Sequence, residues 1–311
     1  MKPYRLCIIP YNFPRTYASF HKGRARGERN ISMKMKKFGA VAASFAMVGA
    51  LALTGCGNSN TAATGSAPAD AGSADTSTEA KFVTDGKLTI GTSAEYEPFE
   101  YMEDGEYKGF DIELAQAIAD KLGLELQVEN VDFDTIVPGV ASGTKYDMGI
   151  AAITATPERE EEVDFTDSYY MDDQAIVTKK DNTTVTGDNY ADELNKPESK
   201  IIVQSGSTAE SFAKENFPDA TLVPLKNATE CFTALQADQG VAVVTNRSVA
   251  AQMVAGQFSD QQVIKQISTG EEYAIAVSKD NSALKDQLND VLAELTEDGT
   301  IDTLMQKYSI K

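Results

Sequence analysis

The sequence predicts an α/β protein of two βα lobes joined by two crossings of the chain. Three observations predict it: strand and helix signals alternate over 87–153, alternate again over 200–254, and a polar segment, Lys179 to Asn189, separates the two series. The chain has 311 residues, room for two ordinary domains, and 42% hydrophobic and 24% charged residues place it among globular proteins.

Lys87 to Gly91 reads as a short strand ending in a glycine turn. Phe110-Asp111 opens a helix through Leu122, with Ile112, Leu114, Ala115, Ile118, Ala119 and Leu122 on one face and Gly123 as its stop. Leu124 to Val128 is a strand, Phe133 to Ala141 a short helix, and Tyr146 to Ile153 a buried strand. The second series runs strand Lys200–Gln204, helix from Ser205–Glu210 to Asn216, strand Ala220–Val223, helix Thr229–Ala237, strand Val241–Val244 and helix Ser248–Val254. After Tyr273 to Val277, Leu284, Leu288, Val291, Leu292 and Leu295 form an amphipathic stripe, and Gly299 separates it from a last helix carrying Ile301, Leu304, Met305 and Tyr308. The expected organisation is lobe 1 over 81–179 and 273–311, and lobe 2 over 180–272, with crossings at Lys179–Asn189 and Ser268–Tyr273. A cleft between two lobes favours a small-molecule site.

The charge is uneven. Residues 1–55 hold 10 of the 28 Lys and Arg and a single acid, Glu28, so the remainder has 18 bases against 46 acids, a net −28. Such a body repels phosphate backbones, which argues against a nucleic-acid partner. The one histidine, His21, lies in the basic leader, so a chain starting after it has no Ser-His-Asp or Cys-His catalysis and no zinc site built on histidine. Cys7, Cys56 and Cys231 do not make a disulfide framework, and Cys231, beside Phe232 and Leu235, reads as inert core. No cofactor is implied.

Lys34-Met35-Lys36-Lys37 precedes an apolar run from Phe38 to Leu53, a signal-peptide pattern ending in Leu53-Thr54-Gly55-Cys56. That ending resembles the bacterial lipobox, which implies a leader over 1–55 and an acylated Cys56 as first mature residue. Residues 56–80, nearly free of large apolar side chains after the cysteine, read as a flexible tether. Two acyl chains suffice for stable attachment. Residues 1–32 receive no function.

Three groups of residues are equipped to bind something. Ala151 to Arg159 begins at the carboxyl end of a predicted buried strand, where α/β folds place ligands; Thr154 offers a hydroxyl and Arg159 a planar fork for a carboxylate, or else a surface ion pair with the neighbouring glutamates. Gln204-Ser205-Gly206-Ser207-Thr208 is an anion cradle at a helix start, or a plain capping box between Ser207 and Glu210. Tyr96, Phe99, Tyr101 and Phe133 are aromatics near element ends, suited to core or to ligand.

Gly91 to Phe99, Gly109-Phe110-Asp111, Asp132-Phe133-Asp134 through Pro138, Tyr146-Asp147, Thr154 to Arg159, Val163 to Thr166, Gln204 to Thr208 and Glu297 to Thr300 follow in an order that resembles family 3 bacterial solute-binding proteins, the amino-acid receptors of ABC importers. The resemblance spans Leu88 to Tyr308. It implies the type II periplasmic-binding-protein architecture, two lobes on a two-strand hinge that close on one amino acid. It also implies Arg159 on the ligand carboxylate, assisted by Ser207 and Thr208, Thr154 and the Ala152 carbonyl on the ammonium, and Tyr96 and Phe133 around the side chain. A separate membrane permease and ATPase would be its partners, the receptor itself being a monomer held outside the cytoplasm by its lipid. Asn246 departs from the pattern, since the family usually has Asp there to pair with the ligand ammonium; weaker binding, another acid nearby, or a ligand without an ammonium remain as readings. Val241 also stands where an acid is common, and Ser93 stands where receptors for basic amino acids tend to carry an acid, which argues against Lys or Arg as ligand. An enzyme on the same fold, such as a dehydratase, is the alternative, and it needs an acid or base in the cleft.

Overall fold

The computed structural model describes residues 79–310, so the leader, Cys56 and nearly all of the tether lie outside the described residues. In chain order the first half comprises β1 (Lys87–Thr92), β2 (Glu95–Tyr96), β3 (Glu100–Glu103), β4 (Glu106–Lys108), α1 (Phe110–Leu122), β5 (Glu125–Asn130), a single 3-10 turn (Phe133–Thr135), α2 (Ile136–Ala141), β6 (Met148–Gly149), α3 (Pro157–Glu160) and β7 (Asp164–Phe165). The second half comprises β8 (Tyr170–Lys179), α4 (Tyr190–Leu194), β9 (Lys200–Gln204), α5 (Thr208–Asn216), β10 (Thr221–Leu225), α6 (Ala228–Gln236), β11 (Ala242–Asn246), α7 (Arg247–Ala255), β12 (Gln261–Tyr273), β13 (Ala276–Val277), α8 (Ser282–Glu297) and α9 (Thr300–Lys307).

These strands make two five-stranded sheets, ordered β5-β1-β6-β13-β7 and β10-β9-β11-β8-β12, with β2-β3-β4 as a small antiparallel sheet. In each large sheet the strands of the βα series run parallel: β1 pairs with β5 and β6, and β9 pairs with β10 and β11. α1 forms because its apolar residues recur on one face, burying Ile112, Leu114, Ala115, Ile118 and Ala119. It ends where Gly123 turns left-handed at φ 69° and its N–H meets the last carbonyls of the helix. α8 and α9 pack back on α1, burying the expected stripe Leu284, Leu288, Val291, Leu292 and Leu295.

The first crossing differs from the expectation. β8 pairs with β11 from Gln174↔Asn246 to Val177↔Val243, so residues up to 179 belong to the second sheet rather than to lobe 1. Ala175, Ile176, Val177 and Thr178 have no exposed surface between their two neighbouring strands, which fixes them there. The segment 180–189 is instead a loop stitched by its own Asn182 and Asn189 side chains. The crossing therefore lies at the start of β8, where Tyr170, Met171 and Asp172 pair with Tyr273, Glu272 and Glu271 of β12. The β8–β12 ladder is interrupted between Ile267 and Glu271, and beyond it Thr154 bridges Tyr273 while Ala274 N–H donates to the Ile153 carbonyl at 3.0 Å. Two antiparallel strands, the start of β8 and the end of β12, thus connect the sheets. The expected strand over Tyr146–Ile153 narrows to Met148–Gly149, and the path soon afterwards turns left-handed at Ala152, φ 48°.

Candidate ligand-binding site

Arg159 sits on α3, a single turn started by Pro157 and capped by Thr156, whose hydroxyl accepts the Arg159 N–H at 3.3 Å. The cap aims the side chain into the gap between the sheets. Nη1 donates to the Thr154 carbonyl at 2.7 Å, Nη2 donates to the Gly206 carbonyl at 2.9 Å, and the guanidinium lies 5.4 Å from the Phe133 ring centre. Among the described residues it makes no ion pair with Glu158, Glu160, Glu161 or Glu162, so the surface-pair alternative is not realised. Burial draws its pKa down, and the negative charge of Glu271 opposes that shift.

Across the gap, the loop after β9 presents Ser207 and Thr208 in different ways. Ser207 Oγ donates to the Gln204 carbonyl at 2.7 Å and accepts the Glu210 N–H at 3.1 Å, while the Glu210 carboxylate accepts the Gly206 N–H at 2.7 Å. Ser207 is thus the side-chain N-cap of α5, with Glu210 reaching back one residue further to Gly206, and this occupies the Ser207 hydroxyl. Thr208 faces the cluster: its Oγ1 donates to Glu271 Oε2 at 2.6 Å and accepts from Gln174 Nε2 at 3.2 Å.

Asn246 ends β11 with its amide fixed at both ends. Its Oδ1 accepts the Tyr96 hydroxyl at 2.6 Å and its Nδ2 donates to Glu271 Oε2 at 3.0 Å. The same Tyr96 hydroxyl stands 3.4 Å from Thr245 Oγ1, and burial raises the phenol far above its ordinary pKa. The Ala152 N–H donates to Asp111 Oδ2 at 2.7 Å, with the Tyr169 hydroxyl donating to the same oxygen at 2.9 Å. Neither oxygen of the fully buried Glu100 meets a donor, nor does Asp111 Oδ1; a proton held on Glu100 would link one of its oxygens to Asp111 and leave the other unpartnered. Burial pushes Asp111 up to about 6 and Glu100 well above the usual carboxyl range.

The residue that sequence reasoning missed is Glu271. It lies within the expected second crossing but stands between Gly270 and another glutamate, with no pattern to single it out. Its carboxylate joins the others: Thr154 Oγ1 donates to Oε2 at 2.7 Å and Gln174 Nε2 to Oε1 at 2.5 Å. Thr154, Arg159, Thr208, Asn246 and Tyr96 therefore form one connected polar cluster, with Phe133 under the guanidinium. The lobes are closed around it, since Ser205 donates to Asp134 at 3.0 Å, Lys226 to Asp132 at 2.8 Å and Gln252 to Glu97 at 2.8 Å. A cavity of about 330 Å³ opens between Ala94, Glu95 and Asn130 on one side and Thr229, Met253 and Gln257 on the other, and no member of the cluster lines it. Among the described residues, no group of His, Cys, Asp and Glu is arranged to hold a metal ion. Burial pushes the Cys231 thiol up to about 12, in keeping with an inert core residue.

The family model of bacterial extracellular solute-binding proteins, family 3, matches residues 88–311. The chain belongs to this family. It is 33% identical over 227 residues to the arginine-binding extracellular protein ArtP of Bacillus subtilis, spanning 71% of this chain and 86% of the relative. It is 35% identical over 207 residues to the ABC transporter glutamine-binding protein GlnH of the same organism, spanning 66% and 73%. Among solved structures, an ancestral arginine-binding protein bound to glutamine superposes with a TM-score of 0.68 at 37% identity, covering 72% of this chain and 98% of that one. An ancestral amino acid-binding protein described as a precursor of cyclohexadienyl dehydratase gives 0.66 at 36%, covering 72% and 95%. The architecture is the type II periplasmic-binding-protein fold of these neighbours, and the family places the protein outside the cytoplasm. Among the described residues no helix is long and apolar enough to cross a membrane.

Proposed function

We propose that the protein is the substrate-binding receptor of an ABC importer and takes an amino acid between its two lobes for delivery to a membrane permease and its ATPase. The observation that carries this reading is the position of Arg159. Its guanidinium reaches from α3 of the first lobe to the Gly206 carbonyl of the second and also holds the carbonyl of Thr154, whose hydroxyl shares Glu271 with that of Thr208. Backbone carbonyls are weaker partners for a guanidinium than a carboxylate, so an incoming carboxylate exchanges neutral acceptors for a charged, bidentate one. Donors from both lobes then strengthen the closed arrangement when an acid group is present, and that differential affinity biases the hinge toward closure.

In this reading Tyr96, Phe133, Ala152, Thr154, Arg159, Thr208 and Asn246 bound the ligand, and Ser207 contributes by shaping the loop. The ligand side chain in this reading is not basic, on the strength of the buried Ser93. Cys56 carries the lipid that keeps the receptor at the cell membrane, with residues 57–80 as its tether. The test is calorimetry over the twenty common amino acids and simple carboxylates. One or a few should bind with micromolar dissociation constants, and silence across the panel would remove the reading. Turnover of a cyclohexadienyl acid by the purified protein would assign the enzyme alternative instead.

A further inference from the structure

The cleft holds a carboxylate with no cation in direct contact, the Arg159 charge reaching it only through space. Glu271 is 7% exposed, and its oxygens accept from Thr154, Thr208, Asn246, Gln174 and, at 3.3 Å, Thr269. All five donors are neutral, and among the described residues no Lys or Arg lies within ion-pair distance of it. The other buried acids nearby have their own partners. Asp172 faces Arg247 at 3.3 Å, the Ser248 N–H at 3.1 Å and the Tyr273 hydroxyl at 3.2 Å. Asp111 is bound by Ala152 and Tyr169, with Glu100 beside it. A buried carboxylate held by neutral donors alone is costly, and a cation arriving with a ligand relieves that cost.

We propose that Glu271 is the counter-ion for the ammonium group of the bound amino acid, an inference that rests on the receptor reading above. Thr154 stands between the two charges of the site, since Arg159 Nη1 donates to its carbonyl and its hydroxyl donates to Glu271. A zwitterion placed there turns its carboxylate to Arg159 and its ammonium to Glu271. The Thr154 hydroxyl has a single proton, already directed at Glu271, so its lone pairs remain to accept an ammonium N–H. Asn246 is matched to this arrangement. Its Oδ1 is held by Tyr96, which turns Nδ2, a donor, toward Glu271. A carboxylate at position 246 would instead set two like charges about 3 Å apart, which repel each other in a buried site. The amide at 246 and the acid at 271 are therefore one device, in which the negative charge of the site comes from the hinge strand rather than from the end of β11.

The probes are the tightest-binding of the twenty L-amino acids and the same acid lacking its α-amino group: glutaramic acid for L-glutamine, 5-guanidinovaleric acid for L-arginine. Calorimetry on the full chain compares wild type, Glu271→Gln and the double variant Glu271→Gln with Asn246→Asp, each checked for folding by thermal melting. The expected result is that Glu271→Gln weakens the amino acid about tenfold or more and the des-amino acid less than threefold, and that the double variant regains much of the loss. Equal losses for both probes, or a loss confined to ligands with a basic side chain, would overturn the proposal. If Glu271→Gln does not fold, Asn246→Asp alone decides: weaker amino-acid binding supports the proposal and tighter binding contradicts it. Wild type that binds no amino acid at all removes the receptor reading, and this inference with it.

Discussion

Tyr96 of the first lobe donates its hydroxyl to Asn246 Oδ1 of the second at 2.6 Å, both residues being buried. The bond closes the cleft and holds the Asn246 amide in one orientation. Tyr96→Phe removes the donor and leaves Asn246 Oδ1 without a charged or strong partner in a dry site. We expect a loss of about 1–2 kcal/mol in denaturant unfolding and a larger radius of gyration for the ligand-free protein by X-ray scattering. Unchanged stability and unchanged dimensions would mean that the closed arrangement does not depend on this bond.

Gly206 carries the second contact across the cleft, with φ at +71° and a backbone so close to Asp134 that an added Cβ would lie 2.8 Å from the Asp134 Cβ. Gly206→Ala is strained at its own position and separates the lobes where they meet. Ligand affinity should fall about tenfold, while each lobe keeps its circular dichroism; full affinity would show that closure tolerates a wider gap there.

Ser207 and Thr208 should separate stability from binding. Ser207→Ala removes an N-cap and is expected to cost about 1 kcal/mol of folding stability with little change in affinity. Thr208→Val keeps shape but removes the hydroxyl that faces Glu271, so affinity should drop with stability nearly kept. The reverse pattern would place the ligand on the cap.

How far this site could be read from sequence follows from where its residues lie. α1 and β9 are legible with their observed limits, since α1 has a clean apolar period closed by Gly123 and β9 is a short apolar run ahead of a glycine turn. β2 to β4 are not, because Glu95 to Lys108 is short-stranded and rich in charge, without the alternation of a half-buried strand. β8 and β12 are hidden for a functional reason. They bury Asp172, Gln174 and Glu271, polar side chains held by hydrogen bonds at the hinge, so their hydropathy resembles that of loops. The same fact hid Glu271, whereas Arg159, Thr154 and Thr208 stood in ordered motifs that the family resemblance made visible.

The Glu100–Asp111 pair predicts a pH effect. Both native pKa values stand above the unfolded ones through burial, Asp111 at about 6, so the folded protein holds protons that the unfolded chain releases. That contribution to stability is fully present below the unfolded carboxyl values and is lost as pH rises through the folded ones. The melting temperature should therefore rise as pH falls from 7.5 to about 5, and Glu100→Gln, which supplies a permanent donor to Asp111, should flatten the slope. A slope identical in both proteins would contradict the shared proton.

The account depends most on Arg159. Isothermal calorimetry of Arg159→Ala, with the amino acid that binds wild type most tightly, tests it directly. The expected result is an affinity at least a hundredfold weaker with the melting temperature nearly unchanged. Affinity preserved within a few-fold would contradict the account, because the guanidinium would then be holding only the Thr154 and Gly206 carbonyls and no ligand carboxylate.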